Sequence, residues 1–327
     1  MTSSKLLSLI FLHQALVVFV LDLPNAEGLK IGFYQQTCPS AEAIIKITTA
    51  QYISRAPSLA PALLRMHFHD CFVNGCDGSV LINSTKNNVA EKDSAPDLSL
   101  RGFQVIDGVK TAVENECPGV VSCADILALV ARDAVSMIKG PYWPVPTGRR
   151  DGRVSTAQNA LNNIPSPFSN ITQLEASFGS KGLSVKDLAV LSGAHTIGIS
   201  HCFPAVTIRL YNFTGKGDTD PTIDPNYAAV LKKICKPGDL TTLVEMDPGS
   251  RKTFDTHYYS IVSKRRGLFQ SDGALLSDSE TKAYVLSQIS SGSTFLKDFG
   301  PAMVKMGKIG VLTGKSGEIR KRCAFIN

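Results

Sequence analysis

The stretch that most constrains this 327-residue chain is LLRMHFHDCFVNGCDGS, residues 63–79. Read as a helix running into a loop, its i, i+3 and i+4 spacing puts Arg65, Phe68 and His69 on one face, while His67 points elsewhere. A fixed cation, a flat apolar ring and a titratable base therefore converge within one turn. The residues that follow add carboxylates at Asp70 and Asp77, a hydroxyl at Ser79, and glycines at Gly75 and Gly78 that let carbonyls turn inward. Oxygen donors of this kind suit a hard cation such as calcium. Cys71 and Cys76 are close enough in sequence for a disulfide to pin the same loop.

The length suffices for one large domain or two small ones with a sizeable core. A hydrophobic content of 43% with 19% charged residues indicates a globular chain. At the start, Lys5, the apolar run 6–21 and small residues around Ala26 and Gly28 read as a secretory signal peptide over 1–28. Cleavage before Leu29 leaves 29–327 as the mature domain. A membrane anchor is the weaker reading, because His13 and Gln14 interrupt a run already short for a span. No later segment is apolar enough to cross a bilayer. The formal charge is +6, and removing 1–28 takes away Lys5, Asp22 and Glu27 and leaves +7. With no basic run interleaved with aromatics, no nucleic-acid partner is expected, and the charge reads as ordinary solubility. Eight cysteines in a secreted chain imply four disulfides, although sequence alone permits 105 pairings. The C-x-x-C zinc spacing is absent.

Along the chain the periodicity is mostly helical. Pro39 and Ser40 open a helix whose apolar stripe is read as Ala43, Ile44, Ile47 and Ala50. After the 63–79 stretch, helices are expected over 102–115 and 122–137. The second of these is apolar on so many sides that it reads as central core. PYWPVPTGRRDGR cannot be regular helix, and its Trp143 is assigned to core packing. A helix over 171–178 follows NNIPSPFSN. Ser184 and Asp187 then form a capping box that opens VKDLAVLSG, with His195 near its end. Further helices are expected over 227–234, 256–264, 279–287 and 294–306, and the tail IGVLTGKSGEIRKRC is read as a small hairpin. N-x-S/T sequons at Asn83, Asn170 and Asn212 mark surface loops open to glycosylation.

The run RMHFHDCFVNGCDGS, together with VSCADILALVARDAV, PTGRRDGR, DLAVLSGAHTIG, MDPGS and KRRGLFQSDGALL, resembles the secretory plant peroxidases, the class III haem peroxidases. The likeness covers roughly everything after Gly28. It implies an all-α fold of two helical lobes, distal and proximal, with haem between them and minor β-hairpin content. It also implies one haem b and two calcium ions. The expected reaction is reduction of hydrogen peroxide, which oxidises ferric haem by two electrons to a high-valent state. Two one-electron steps from small phenolic donors restore it. Of the possible disulfide pairings the resemblance selects Cys38–Cys117, Cys71–Cys76, Cys123–Cys323 and Cys202–Cys235. It further implies a monomer secreted to the cell wall, with no membrane association after signal removal and no C-terminal extension of the vacuolar kind.

Peroxide cleavage needs a base to take a proton and a cation to stabilise charge on the departing oxygen, roles suited to His69 and Arg65. Phe68 would wall the haem face. The family's axial iron ligand falls on His195, and the carboxylate that orients a ligand histidine falls on Asp272. One calcium site is implied by Asp70, Asp77 and Ser79 with the carbonyls of Val73 and Gly75. The other is implied by Thr196, Asp247, Ser250, Thr253 and Asp255. Small phenols would bind at a proline carbonyl matching Pro165, with Phe168 nearby. His13, His67, His201 and His257 are given no role. One departure stands out: EKDSAPDLS places Asp97 where the family has an asparagine that accepts a hydrogen bond from the distal histidine. An ionised aspartate there favours the imidazolium and raises the His69 pKa. Two rival classes, a calcium- or matrix-binding glycoprotein and a metal-dependent hydrolase, would lack a haem absorption band.

Overall fold

The computed structural model describes residues 28–290 and 292–327, so the expected signal peptide falls outside the described residues except for Gly28. Among the described residues the helices are α1 (Ala41–Arg55), α2 (Leu59–Val73), α3 (Phe103–Glu116), α4 (Cys123–Met137), α5 (Ala157–Asn163), α6 (Ile171–Ser180) and α7 (Val185–Ser192). They continue as α8 (Thr207–Tyr211), α9 (Pro225–Ile234), α10 (His257–Ser263), α11 (Gln270–Ala274), α12 (Ser279–Gln288) and α13 (Phe295–Met306). Strands β1 (Ile199–His201) and β2 (Leu243–Glu245) form one small antiparallel sheet, with Ser200 opposite Val244. No described helix is long and apolar enough to cross a membrane.

Helix α4 is the axis of the N-terminal half, with α1, α2 and α3 packed on it and residues 123–135 all buried. Such burial would be costly for Asp125 without partners. Its carboxylate accepts from Tyr34 Oη (2.7 Å), Gly148 N (2.6 Å) and Arg149 Nη1 (2.8 Å), so the PTGRRDGR segment is fixed to the helix by a fully buried ion pair. Trp143, 3% exposed, packs edge-on against Phe299 as core. In the C-terminal half α7 packs on α6, α12 and α13, and α10 on α12. A second apolar cluster gathers Val206, Leu210, Ile223 and Leu231 around the Cys202–Cys235 bridge. All four disulfides pair as the resemblance implied.

Two sequence expectations fail. In α1 the buried stripe is Ala41, Ile45, Thr49 and Ile53, whereas Ile47 is 60% exposed. Apolar residues occur on several faces of this helix, and contact with α3 and α4 selects the i, i+4 row that faces them. The C-terminal tail also forms no hairpin of its own. Its two arms instead bridge to neighbouring residues of the PTGRRDGR segment, Leu312 to Arg150 and Glu318 to Asp151. That segment lies between the arms and takes the hydrogen bonds they would have made to each other. The short helices α5, α8 and α11 carried no sequence signal, being five to seven residues long.

Candidate active site

Helix α2 begins just past Pro57 and tolerates Pro61 in its first turn, where the proline displaces no intrahelical donor. Its 3.6-residue period then separates two histidines. His67 is buried toward Cys71 Sγ (3.6 Å), where burial and then the Arg149 charge push its pKa down to about 3. His69 shares the other face with the half-buried Arg65 and Phe68, and Phe68 meets the His69 ring edge-on at 5.5 Å.

One loop fixes both polar groups on that face. Arg65 donates from Nη1 to Ser99 Oγ (3.0 Å) and from Nη2 to Pro96 O (2.7 Å), while His69 Nδ1 is hydrogen-bonded to Asp97 Oδ1. Asp97 is buried, and its Oδ2 accepts from Ser94 Oγ (3.2 Å). The carboxylate therefore does reach the histidine, but the net effect differs from expectation. Burial first, and the Arg65 charge second, push the His69 pKa down from its ordinary 6.5 to about 4, and Asp97 offsets them only in part. Sequence supplied the sign of the aspartate's contribution but not the larger desolvation against it.

The carboxylate-bearing loop continues directly from α2. Asp70 accepts from Gly78 N (3.0 Å) and Val80 N (3.4 Å), and Asp77 Oδ1 from Ser79 N (2.9 Å). Val73, Gly75 and Ser79 are buried beside them. Gly75 has φ +100, and a Cβ there would lie 2.5 Å from Gly310 O, so only glycine permits this turn against the tail. Burial, then Asp77, drives the Asp70 carboxyl upward, and burial does the same to Asp77. Two carboxylates sequestered with so little counter-charge fit a divalent cation. Glu91, missed in the sequence, belongs to this neighbourhood. Burial and then Asp70 push its pKa up to about 9, and it accepts from Asn74 Nδ2 (2.7 Å) while its Oε2 has no partner.

The second histidine is delivered by α7. Ser184 and Asp187 close the expected capping box, and the turn Gly193–Thr196 then carries His195. A Cβ on Gly193 would sit 2.3 Å from Tyr259 Oη, so the turn rests directly on α10. His195 Nδ1 lies 2.7 Å from Asp272 Oδ1, and Asp272 also accepts from Tyr258 Oη (2.9 Å) and Phe269 N (2.8 Å). The His195 side chain keeps 38% of its exposure, and Tyr258 and Phe269 flank its ring edge-on. With Nδ1 occupied, Nε2 is the nitrogen left for a metal, which fits the axial-ligand role.

Next to it, Thr196 Oγ1 has Asp247 Oδ2 (3.1 Å), Asp255 Oδ1 (3.3 Å) and Thr253 O (3.4 Å) within reach. One hydroxyl proton cannot serve three acceptors, and such a convergence of oxygens fits a hard cation. Ser250 Oγ joins through Asp255 Oδ2 (2.8 Å). His257, assigned no role from sequence, touches the same cluster, with Nδ1 2.5 Å from Asp247 Oδ1. Pro165 is half-buried in the turn after α5, and Phe168 with Ile208, Arg209, Phe213 and Gln270 lines a cavity of about 250 Å³.

A family model described as Peroxidase matches residues 45–291. Peroxidase 27 of Arabidopsis thaliana is 60% identical over 312 residues, 95% of this chain and 96% of that protein. Peroxidase 56 of Arabidopsis thaliana is 60% identical over 304 residues, covering 93% and 92%. Peroxidase 1 of Oryza sativa subsp. japonica is 53% identical over 333 residues and covers both chains in full. Identity at this level over nearly the whole of each chain makes this protein a member of the peroxidase family, a class III plant haem peroxidase that acts on hydrogen peroxide.

Proposed function

We propose that the protein is a secreted peroxidase holding one haem b and two calcium ions, with His69 and Arg65 on the distal side and His195 on the proximal side. One observation carries the assignment: each of these histidines has its Nδ1 on a buried carboxylate, Asp97 or Asp272, so that each presents Nε2. Haem, when bound, supplies the iron that peroxide oxidises by two electrons and that small phenolic donors reduce one electron at a time. His69 Nε2 takes the first proton of hydrogen peroxide and returns it to the departing oxygen. Its depressed pKa keeps that nitrogen unprotonated at neutral pH. Arg65, anchored on Pro96 and Ser99, stabilises the negative charge on the departing oxygen. Phe68 excludes water from the distal face. His195 ligates the iron, and the Asp272 carboxylate on its Nδ1 makes the ring a stronger electron donor.

Calcium is held by Asp70, Val73, Gly75, Asp77 and Ser79 on one side and by Thr196, Asp247, Ser250, Thr253 and Asp255 on the other. Phenolic donors approach near Pro165. Residues 1–28 act as the signal peptide, 29–327 as a monomeric extracellular domain. Exposed Asn83, Asn170 and Asn212 receive glycans, each using its Oδ1 as an acceptor within the protein. The test is His195→Ala, which should retain little haem or show an altered spectrum. Normal haem content, spectrum and turnover in that variant would refute the axial assignment.

A further inference from the structure

Three tyrosines lie in unbroken ring contact behind the proximal histidine. The His195 ring meets Tyr258 at 5.9 Å between centroids, Tyr258 meets Tyr259 at 5.3 Å, and Tyr259 meets Tyr284 at 5.8 Å. All three contacts are edge-on, and no phenylalanine interrupts the series. Two of the phenols, one at each end, donate to a carboxylate: Tyr258 to Asp272 (2.9 Å) and Tyr284 to Asp298 Oδ2 (3.0 Å). Tyr259 between them donates to the carbonyl of Ala189 (3.0 Å), which cannot accept a proton outright. Tyr284 is 9% exposed, yet Asp298 beside it is half-buried and ion-paired with the exposed Lys186 (3.4 Å). The series thus runs from the iron-ligand histidine to the rim of the α12–α13 pair.

We propose that Tyr284 is an internal one-electron donor to the oxidised haem, reached through Tyr259 and Tyr258. The inference rests on His195 as the axial ligand. In the step, one electron leaves the Tyr284 phenol and reduces the haem, which peroxide has already oxidised. The phenol O–H bond breaks, and its proton passes along the existing hydrogen bond to the Asp298 carboxylate. The product is a neutral tyrosyl radical at Tyr284; one electron from an external phenol, which releases its own proton to solvent, and return of the proton from Asp298 along the same hydrogen bond restore it. Loss of the proton traps the hole at this end of the series: Tyr259 has only a carbonyl to accept its proton, and the Asp272 carboxylate that faces Tyr258 is already engaged by His195 Nδ1 and Phe269 N. Burial pushes the Asp298 carboxyl up, but hydrogen bonds from Thr294 and Tyr284 outweigh it and leave the pKa below the usual value, so the acceptor is ionised at neutral pH. The activity this adds is a second outlet for oxidising equivalents, separate from the one proposed at Pro165, and it holds one equivalent when donor is scarce.

The experiment mixes the haem-loaded enzyme with one equivalent of hydrogen peroxide and no donor, recording the optical spectrum and freeze-quenched electron paramagnetic resonance. The wild type should show the haem oxidation spectrum and then a tyrosyl signal. Tyr284→Phe keeps the ring but not the phenol; it should show the same optical change, lose the signal, and oxidise small phenols at the wild-type rate. Asp298→Asn should diminish the signal, and Tyr142→Phe, which alters a 60% exposed ring outside the series, should leave it intact. A tyrosyl signal retained in Tyr284→Phe, lost in Tyr142→Phe or absent from the wild type would overturn the relay. Failure of peroxide to change the haem spectrum at all would instead overturn the site assignment on which the relay stands.

Discussion

Replacing Asp97 by asparagine isolates the feature in which this distal site departs from the family pattern. In the native protein the His69 pKa is held at about 4 against an ordinary 6.5, which amounts to about 3 kcal/mol of net opposition to protonation at ~1.4 kcal/mol per unit. Burial and Arg65 supply that opposition, and Asp97 works against it through its hydrogen bond and its charge. Asparagine keeps an acceptor on Nδ1 but removes the charge. An adjacent opposite charge is worth roughly 1–3 units, so the acid limb should move down by about that much. Protonated His69 cannot take the peroxide proton. At pH 4 the native enzyme should therefore react at about half its plateau rate and Asp97→Asn at roughly nine-tenths or more of its own. The assay is stopped-flow measurement of the reaction of haem-loaded protein with hydrogen peroxide across pH values that bracket 4. Superimposable acid limbs, or a variant limb at higher pH, would refute the reasoning. Stability carries the same sign. The unfolded chain takes up a proton that folded His69 refuses, so stability is lost as pH falls from 6.5 to about 4, and Asp97→Asn should be the more acid-labile protein in urea titrations.

Calcium removal is the next test: chelation should lower thermal stability and activity together, and readdition should restore both, because each proposed calcium site includes the residue that follows a site histidine, Asp70 after His69 and Thr196 after His195. Loss of bound calcium with neither property changed would break that coupling. Arg149→Met should cost roughly 3–5 kcal/mol in equilibrium urea unfolding, since it leaves the Asp125 charge buried without its ion-pair partner. A loss below about 1 kcal/mol would show that Tyr34 and Gly148 satisfy that carboxylate by themselves.

The sequence by itself determined the helical class, the four disulfide pairs through the family likeness, and the placement of Arg65, Phe68 and His69 on one face of α2. These follow from local periodicity or from motifs whose residues are contiguous. The capping box at Ser184 and Asp187 was legible for the same reason, since its hydrogen bonds span three residues. Only the tertiary structure decided which row of α1 is buried, because the choice belongs to α3 and α4 rather than to α1. Only it drew the C-terminal tail apart across Arg150 and Asp151, and only it brought Glu91 and His257 to the two carboxylate clusters, contacts made across 17 and 10 residues respectively. The His69 pKa shows the division most clearly. A sequence names the charges near a group, as it named Asp97 and Arg65. It does not state how much water the fold removes, and desolvation at full burial outweighs a single hydrogen-bonded carboxylate.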